Sequence, residues 1–162
     1  MKTGKDLVLH FLKDVYFAEK AILKLLPELG AAAHNAALKK ALTDHVEQTK
    51  SHATRLEKAF AALGSAVEAV TCEAMVGLMQ ETDDVLKHSS AGPVRDCALV
   101  ACTQAIHHYL IARYHTLADV LAAMGHAEAA SLMKQSGEDE TRSVAGLGGI
   151  GRREINASLA SA

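Results

Sequence analysis

The chain has 162 residues, a formal net charge of −2, 49% hydrophobic residues and only 4% aromatic residues. This length is typical of one domain that buries its own core, and the small net charge excludes the strong positive field of proteins that bind nucleic acids or anionic membranes. With two prolines and no tryptophan, the composition favours an all-α protein over a β-sandwich or a disordered chain.

Cysteine usage and the N-terminal sequence indicate a compartment. The three cysteines form neither an even set nor a CxxC pair, which favours buried thiols in a reducing cytoplasm over a disulfide framework or a zinc knuckle. The N-terminus lacks the pattern of a signal peptide, and no apolar run approaches the roughly 18 residues that span a bilayer. We therefore expect a cytoplasmic protein that binds neither membranes nor nucleic acids.

Hydrophobic residues recur at spacings of three and four along five segments, which is the periodicity of amphipathic helices. Asn35 can cap the second segment, and Pro93 stands in the first turn of the fourth. Gly64 and Gly125 each follow the last turn of a segment. Pro27 predicts a kink or an early stop in the first helix. The predicted helices are 5–29, 36–63, 67–87, 93–124 and 127–145.

The connections between these helices indicate their arrangement. Two short hairpins joined by a long crossover with its own short helix (65–92) are typical of a ferritin-like four-helix bundle, because an up-down-up-down bundle needs a short middle loop. We predict this bundle over residues 1–145. The glycine-rich remainder, 146–162, predicts a flexible C-terminal tail, with a docking peptide or a short helix near 153–160 as the alternative.

Polar residues interrupt the middle of the apolar stripes. They are Glu19 in the first helix, His45, Thr49 and His52 in the second, His107 in the fourth and Glu140 in the fifth. Such residues are costly in a bundle core unless they are paired or bind a metal. Facing residues in an antiparallel hairpin have numbers that sum to about twice the turn centre, which places Glu19 between the levels of His45 and His52. The same sum places His107 opposite Glu140.

This cluster has the chemistry of a metal site. Carboxylate oxygens and neutral imidazoles together suit Fe, Mn or Zn, and the two histidines of the second helix share one face. The sequence therefore predicts a metal site at the bundle centre with the ligands Glu19, His45, His52, His107 and Glu140. In the simpler interpretation, each of these is a hydrogen-bonded core residue and the protein is free of metal.

Five stretches carry a further signal. They are DVYFAEKAILKLLPEL (14–29), LKKALTDHVEQTKSHATRLEKAF (38–60), CEAMVGLMQE (72–81), GPVRDCALVACTQAIHHYLIARYHTL (92–117) and AEAASLMKQSGEDE (127–140). In this order they resemble the YciE/YciF family of ferritin-like bacterial stress proteins. The resemblance implies a ferritin-like fold, a homodimer and a di-iron site with ferroxidase activity. Within it, Glu19 matches the glutamate of an AEK motif, and His45, Glu47 and Thr49 match a His-Leu-Glu-Glu-Thr motif.

Several carboxylates of the family pattern are replaced in this sequence. Gln48 stands at the second motif glutamate, His107 and Leu110 at the two glutamates of a Val-Glu-His-Tyr-Glu pattern, and Val144 at a later aspartate. Di-iron bundles usually offset two ferrous charges with about four carboxylates, whereas the seam here offers Glu19 and Glu140, with Glu47 from the flank. A single His-rich metal site and a polar layer without metal are the two resulting interpretations.

Three functions follow from these observations as alternatives. The first is a metal-binding stress protein with ferroxidase-like oxidase chemistry, with iron as the first candidate and manganese or zinc behind it. The second is a non-enzymatic structural or interaction protein that retains the fold. The third is a protein that docks a partner protein through its C-terminal tail. No catalytic residue and no organic cofactor are assigned.

Overall fold

The computed structural model describes residues 1–159, which form helices and no strand. The helices are α1 (Gly4–Ala32), α2 (Ala36–Ala62), α3 (Glu73–His88), α4 (Pro93–Ala123), α5 (Ala127–Ile150) and α6 (Asn156–Leu159), with a π-helical turn at Gly151–Ile155. No helix in this range combines the length and the hydropathy of a membrane span.

The predicted all-α bundle of two hairpins is confirmed. α1 pairs with α2 and α4 pairs with α5, while α3 lies in the crossover and packs on α4. The hairpins meet where α2 packs on α5 and α1 packs on α4. The four long helices enclose one core, whose largest fully buried side chains are Leu12, Leu29, Leu38, Leu42, Leu56, Phe60, Met75, Leu99, Leu110, Tyr114, Leu117 and Leu121.

Local sequence signals set most helix starts. α1 begins with a capping box, in which the N–H of Asp6 donates to Thr3 Oγ1 and the N–H of Thr3 donates to Asp6 Oδ2, each over 3.1 Å. The side chain of Asn35 caps α2 by accepting a hydrogen bond of 2.9 Å from the N–H at its third position. α4 begins after Gly92, whose φ of 109° is a conformation that favours glycine.

Two predicted helix boundaries are wrong. α1 continues through Pro27 and Gly30 to Ala32, because Pro27 is exposed and the lost hydrogen bond therefore lies on the solvent side. Gly30 is buried, and a Cβ there would lie 3.7 Å from Thr43 Oγ1 on α2, which is an ordinary van der Waals contact. α3 begins at Glu73, six residues later than the periodicity predicts.

The C-terminal segment also differs from its prediction. α5 runs through the glycine-rich sequence to Ile150, and the π-helical turn and α6 follow it without a break. Leu147, Gly151 and Ile155 are buried, because this segment packs on α4. The prediction of a flexible tail from residue 146 is therefore wrong for residues 146–159, and the alternative of a short helix near 153–160 agrees better. Residues 160–162 of the predicted tail lie outside the described residues.

One buried carboxylate ties the α1–α2 turn to the start of α4. Asp96 is 2% exposed, and its two oxygens accept hydrogen bonds of 2.7 Å from the backbone N–H groups of His34 and Asn35. Because these partners are 61 and 62 residues away in sequence, the contact sets how the first hairpin sits on the second.

Asp96→Ala is expected to lower the free energy of unfolding by about 2–3 kcal/mol, since it removes two charge-assisted hydrogen bonds at once. Urea denaturation of the purified variant measures the loss. Asp119→Ala, at an exposed position on the same helix, serves as the control and should change stability by no more than about 0.5 kcal/mol. A loss at Asp96 no larger than at Asp119 would contradict the assigned role.

Candidate metal centre

The predicted site residues come together near the middle of the bundle, and all four long helices contribute. Glu19 lies on α1, His45 and His52 on α2, His107 on α4 and Glu140 on α5, and each is buried. The predicted heights agree with the contacts. His52 Nδ1 lies 3.1 Å from Glu19 Oε1, and His107 Nδ1 contacts Glu140 Oε2.

Glu19 is held by two donors on one oxygen. The hydroxyl of Tyr114 donates to Glu19 Oε1 over 2.5 Å, and His52 Nδ1 donates to the same atom over 3.1 Å. The second oxygen, Oε2, is buried and has no hydrogen-bond partner among residues 1–159. Glu19 therefore keeps a free acceptor inside the bundle.

Glu140 lies among three imidazoles. Its Oε2 accepts a hydrogen bond from His107 Nδ1. Its Oε1 lies 3.2 Å from His52 Nδ1 and 3.9 Å from His45 Nε2. The single proton on His52 Nδ1 is directed at Glu19. Glu140 Oε1 is therefore buried without a hydrogen bond from any of the described residues.

The tautomer of His45 is set from the outer side of the cluster. His45 Nδ1 lies 3.2 Å from Gln48 Oε1, and this amide oxygen also accepts from Ser143 Oγ over 3.2 Å. With an amide oxygen as the acceptor, the proton of a neutral His45 resides on Nδ1, and Nε2 presents its lone pair to the cluster. Gln48 thus orients an imidazole.

The charges at the centre of the cluster are paired. Burial disfavours the charged form of Glu140, but the hydrogen bond from His107 and the contact with His52 outweigh it and lower its pKa to about 2. Burial likewise opposes protonation of His52, but the carboxylates of Glu140 and Glu19 outweigh it and raise the pKa of His52 to about 10. The metal-free cluster at neutral pH therefore contains an ionised Glu140 beside a protonated His52.

The two outer members respond mainly to burial. Burial is the main cause that lowers the pKa of His45 to about 4, and the electrostatic effect of His107 is the next largest. This imidazole is therefore neutral at physiological pH. Burial raises the pKa of Glu19 above its ordinary value, although the hydrogen bond from His52 acts against that shift. A neutral imidazole is the form that binds metals.

Two groups of ligand atoms have the spacing of a metal site, and they share Glu140. One consists of His45, His107 and Glu140, the other of Glu19, His52 and Glu140, and within each group the ligand atoms all lie within 4.8 Å of one another. Among residues 1–159, the buried side-chain nitrogen and oxygen atoms without a hydrogen-bond partner all belong to residues of these two groups: Glu19 Oε2, His45 Nε2, His52 Nε2 and Glu140 Oε1. Glu19 Oε2, His45 Nε2 and Glu140 Oε1 are unpaired buried acceptors, and acceptors at such a spacing fit a transition-metal ion.

The two groups are not equivalent. In the group around His52, the raised pKa keeps a proton that an incoming cation would have to displace. In the group around His45, that imidazole is already neutral. The group of His45, His107 and Glu140 consists of two histidines and one carboxylate, which is a donor set typical of non-haem Fe(II).

Several residues that the sequence analysis left out belong to the site or its edge. Tyr114 lies seven residues after His107, on the same helix face, and this spacing is the signal that could have found it. Asp139 Oδ2 lies 3.4 Å from His52 Nε2 and 2.6 Å from Arg55 Nη1. Glu47, by contrast, is exposed and pairs with Lys50 over 2.6 Å, so the flanking carboxylate considered in the charge balance lies outside the cluster.

Tyr114→Phe is expected to lower the free energy of unfolding by about 1–3 kcal/mol, because it leaves the buried Glu19 without its short hydroxyl donor. Thermal or urea unfolding measures the effect. Tyr16→Phe is the matched control: Tyr16 donates over 2.9 Å to Glu57 at the surface, so its loss should cost no more than about 0.5 kcal/mol. Equal effects at the two tyrosines would show that the buried hydroxyl is dispensable.

A cleft leads from solvent to the cluster. It has a volume of about 200 Å³ and lies between α2 and α5, with His45 and His107 among its lining residues. Its other polar residues are Asp44, Gln48 and Ser143, and its apolar walls include Leu42 and Leu147. The candidate site is thus buried but reachable by a small molecule or an ion.

Comparison with known proteins agrees with this fold. The family described as a domain of unknown function, DUF892, matches residues 3–160. The protein YciF of Escherichia coli is 36% identical over 141 residues, which cover 86% of this chain and 85% of that protein. The crystal structure of YciF, described as an E. coli stress protein, matches with a TM-score of 0.92 and 33% identity over 96% of this chain and 99% of that one.

Two further solved structures are similar. A protein of Rhodopseudomonas palustris, described as a candidate structural protein, matches with a TM-score of 0.88 and 36% identity over 91% of this chain and 94% of that one. A protein of Xanthomonas campestris matches with a TM-score of 0.79 at 18% identity over 98% of each chain, which speaks for the shared fold alone.

Proposed function

We propose that this chain, which belongs to the DUF892 family, binds one transition-metal ion at the centre of its bundle and supports ferroxidase-like oxidase chemistry there. The observation that carries the proposal is the pair of ligand groups that share Glu140, together with the buried polar atoms around it that lack partners within residues 1–159. The donor set favours Fe(II), with manganese or zinc as alternatives.

The residues of such a site would have different roles. His45, His107 and Glu140 would hold the ion. Gln48 directs the lone pair of His45 Nε2 inward, and Tyr114 fixes the position of Glu19 within the cluster. Bound iron would supply electron exchange with a small oxidant, and the buried site would keep bulk water away from it.

The charge balance supports one ion over two. Glu19 and Glu140 are the carboxylates within the cluster, and Asp139 at its edge already pairs with Arg55 over 2.6 Å. Two carboxylates come much closer to balancing one divalent ion than two, because a second ferrous ion would add two more positive charges to a buried space.

Protein purified without chelator is expected to contain close to one equivalent of metal, measured by elemental analysis. Titration of metal-free protein with Fe(II) under anaerobic conditions should raise its melting temperature by about 5–10 °C at a free-metal concentration of one hundred times Kd, because binding to the folded state alone contributes about 2.7 kcal/mol. His107→Ala should lose both effects.

His108→Ala is the matched control, since this neighbouring histidine is exposed on the same helix. Iron oxidation by O₂ or a peroxide, followed with the same variants, then tests the redox part separately. No stoichiometric metal in the unsubstituted chain, and no thermal shift with iron, manganese or zinc, would overturn the proposal.

A non-enzymatic structural role is the second candidate, and one observation favours it. Hydrogen bonds already connect Tyr114 to Glu19 and Glu19 to His52, and Glu140 to His107, without a metal. The relative from R. palustris is itself described as a candidate structural protein. This candidate predicts full stability in the presence of a chelator and no melting-temperature difference between metal-treated and untreated protein.

A further inference from the structure

We propose that the cleft between α2 and α5 is the entry path of the metal ion, and that its oxygen-bearing side chains transfer the ion from solvent to the buried ligands. This inference rests on the proposed function, since the ion is the one bound there. It adds a function to residues that do not belong to the ligand set, above all Asp44, Ser143 and Gly146.

The burial of the ligands makes a path necessary. Glu19, His52 and Glu140 are 0% exposed and His107 is 2% exposed, so an ion in solvent cannot reach them directly. The cleft is lined by His45 and His107, and both belong to one ligand group. The cleft therefore ends at this ligand group.

Polar side chains follow the cleft from its mouth to its base. The side chain of Asp44 at the mouth is 63% exposed. Gln48 and Ser143 are half-buried and share a hydrogen bond of 3.2 Å, and the side chain of His45 at the base is only 6% exposed. A carboxylate, an amide oxygen and a hydroxyl can each replace water around a cation. The order of exposure thus gives an entering ion oxygen partners before it meets an imidazole.

The volume of the cleft suits a partly hydrated ion. Its 200 Å³ have room for roughly six water molecules at about 30 Å³ each, which is close to the size of one hydrated divalent cation. Apolar walls from Leu42 and Leu147 do not compete for the ion.

Gly146 keeps this cleft open. It lines the cleft within α5, and a Cβ added there would meet no atom within 4 Å, so a larger side chain fits at the wall of the cleft without displacing the backbone. Glycine inside a helix costs about 1 kcal/mol relative to alanine. A cleft that stays open to the ion is a reason to keep glycine at this position despite its cost in helix stability.

Lys40 offsets the charge of Asp44 at the mouth. Its Nζ lies 2.5 Å from Asp44 Oδ2, and both side chains are largely exposed. While this pair is formed, the negative charge that would attract a cation is compensated. Removal of the lysine should therefore increase the attraction, and removal of the aspartate should abolish it.

Co(II) uptake by the metal-free full-length chain tests the path, with Co(II) alone as the probe and its visible absorption in a stopped-flow instrument as the readout. We expect Gly146→Phe to slow uptake at least tenfold while the amount bound at equilibrium stays the same. Asp44→Asn should slow uptake several-fold at low salt and Lys40→Met should accelerate it, and both differences should shrink at high salt.

Gly77→Phe is the matched control, because Gly77 also lies inside a helix with no atom within 4 Å of an added Cβ, but on α3, away from the cleft. It should take up Co(II) at the unsubstituted rate. The two charge variants lie at the surface and keep the proposal testable if Gly146→Phe folds poorly.

The outcomes separate the path from the site. If Gly146→Phe takes up Co(II) at the unsubstituted rate, or if both charge variants leave the rate unchanged at low salt, the entry path is wrong and the metal site stands. If the unsubstituted chain takes up no Co(II) at all, both the site and the path are wrong.

Discussion

Glu140→Gln is expected to abolish stoichiometric metal binding and to lower the free energy of unfolding of the metal-free protein by about 3–5 kcal/mol. Both candidate ligand groups include Glu140, so its loss removes a ligand from each of them. In the metal-free protein the same carboxylate accepts from His107 Nδ1 and lies 3.2 Å from His52 Nδ1, so its replacement leaves a buried imidazolium with less compensation.

Glu138→Gln is the matched control, because Glu138 lies two residues earlier on α5 and is exposed. It should bind metal normally and change stability by no more than about 0.5 kcal/mol. Elemental analysis and urea denaturation in the presence of a chelator give the two readouts independently. A variant at position 140 that still holds a full equivalent of metal would show that the ion binds elsewhere.

The stability of the metal-free protein is expected to fall on both sides of a plateau between about pH 4.5 and 6.5. On the alkaline side, the pKa of His52 is raised to about 10, so its contribution is present below its unfolded pKa near 6.5 and is lost as the pH rises towards 10. The raised pKa of Glu19 acts in the same direction above pH 4.5.

On the acid side, the pKa of Glu140 is lowered to about 2, so its contribution is present above about 4.5 and is lost as the pH falls towards 2. The pKa of His45 is lowered to about 4, so its contribution to the free energy of unfolding decreases as the pH falls from 6.5 to 4. Within the plateau this loss opposes the effect of Glu19, which is why the steep changes lie outside it.

Urea denaturation at pH 5.5, 7.5 and 9, with chelator present, measures the alkaline fall. His52→Gln should flatten it, because glutamine does not titrate, whereas the exposed His108→Gln should leave it unchanged. Stability that rises between pH 7.5 and 9 in the unsubstituted protein would show that His52 is not held in its protonated form by the two carboxylates.

The sequence predicts the bundle and the positions of five site residues for the same reason. The helical periodicity places Glu19, His45, His52, His107 and Glu140 on core-facing stripes, and the geometry of an antiparallel hairpin then sets their heights. Neither step needs a side-chain contact. The role of these residues as metal ligands stays a prediction, since it depends on an ion as well as on the fold.

What the sequence does not reveal depends on packing between distant segments. The helical periodicity predicts Tyr114 as a core residue, because its ring is largely apolar. Only the fold shows that its hydroxyl contacts Glu19, 95 residues away. The C-terminal segment is predicted to be flexible because glycine lowers helix propensity. Burial of Leu147 and Ile155 outweighs that propensity, as tertiary packing commonly does.

The bundle centre is assembled from two separate stretches of chain, with Glu19, His45 and His52 in the first hairpin and His107, Tyr114 and Glu140 in the second. Between the hairpins, residues 65–72 precede α3 without helical structure and are mostly exposed. A cut in this segment should therefore yield two fragments, each with half of the cluster, and the ion that both halves would bind should strengthen their reassociation. The two fragments would then form a heterodimer whose stability rises with the metal concentration, so that fragment complementation reports metal binding.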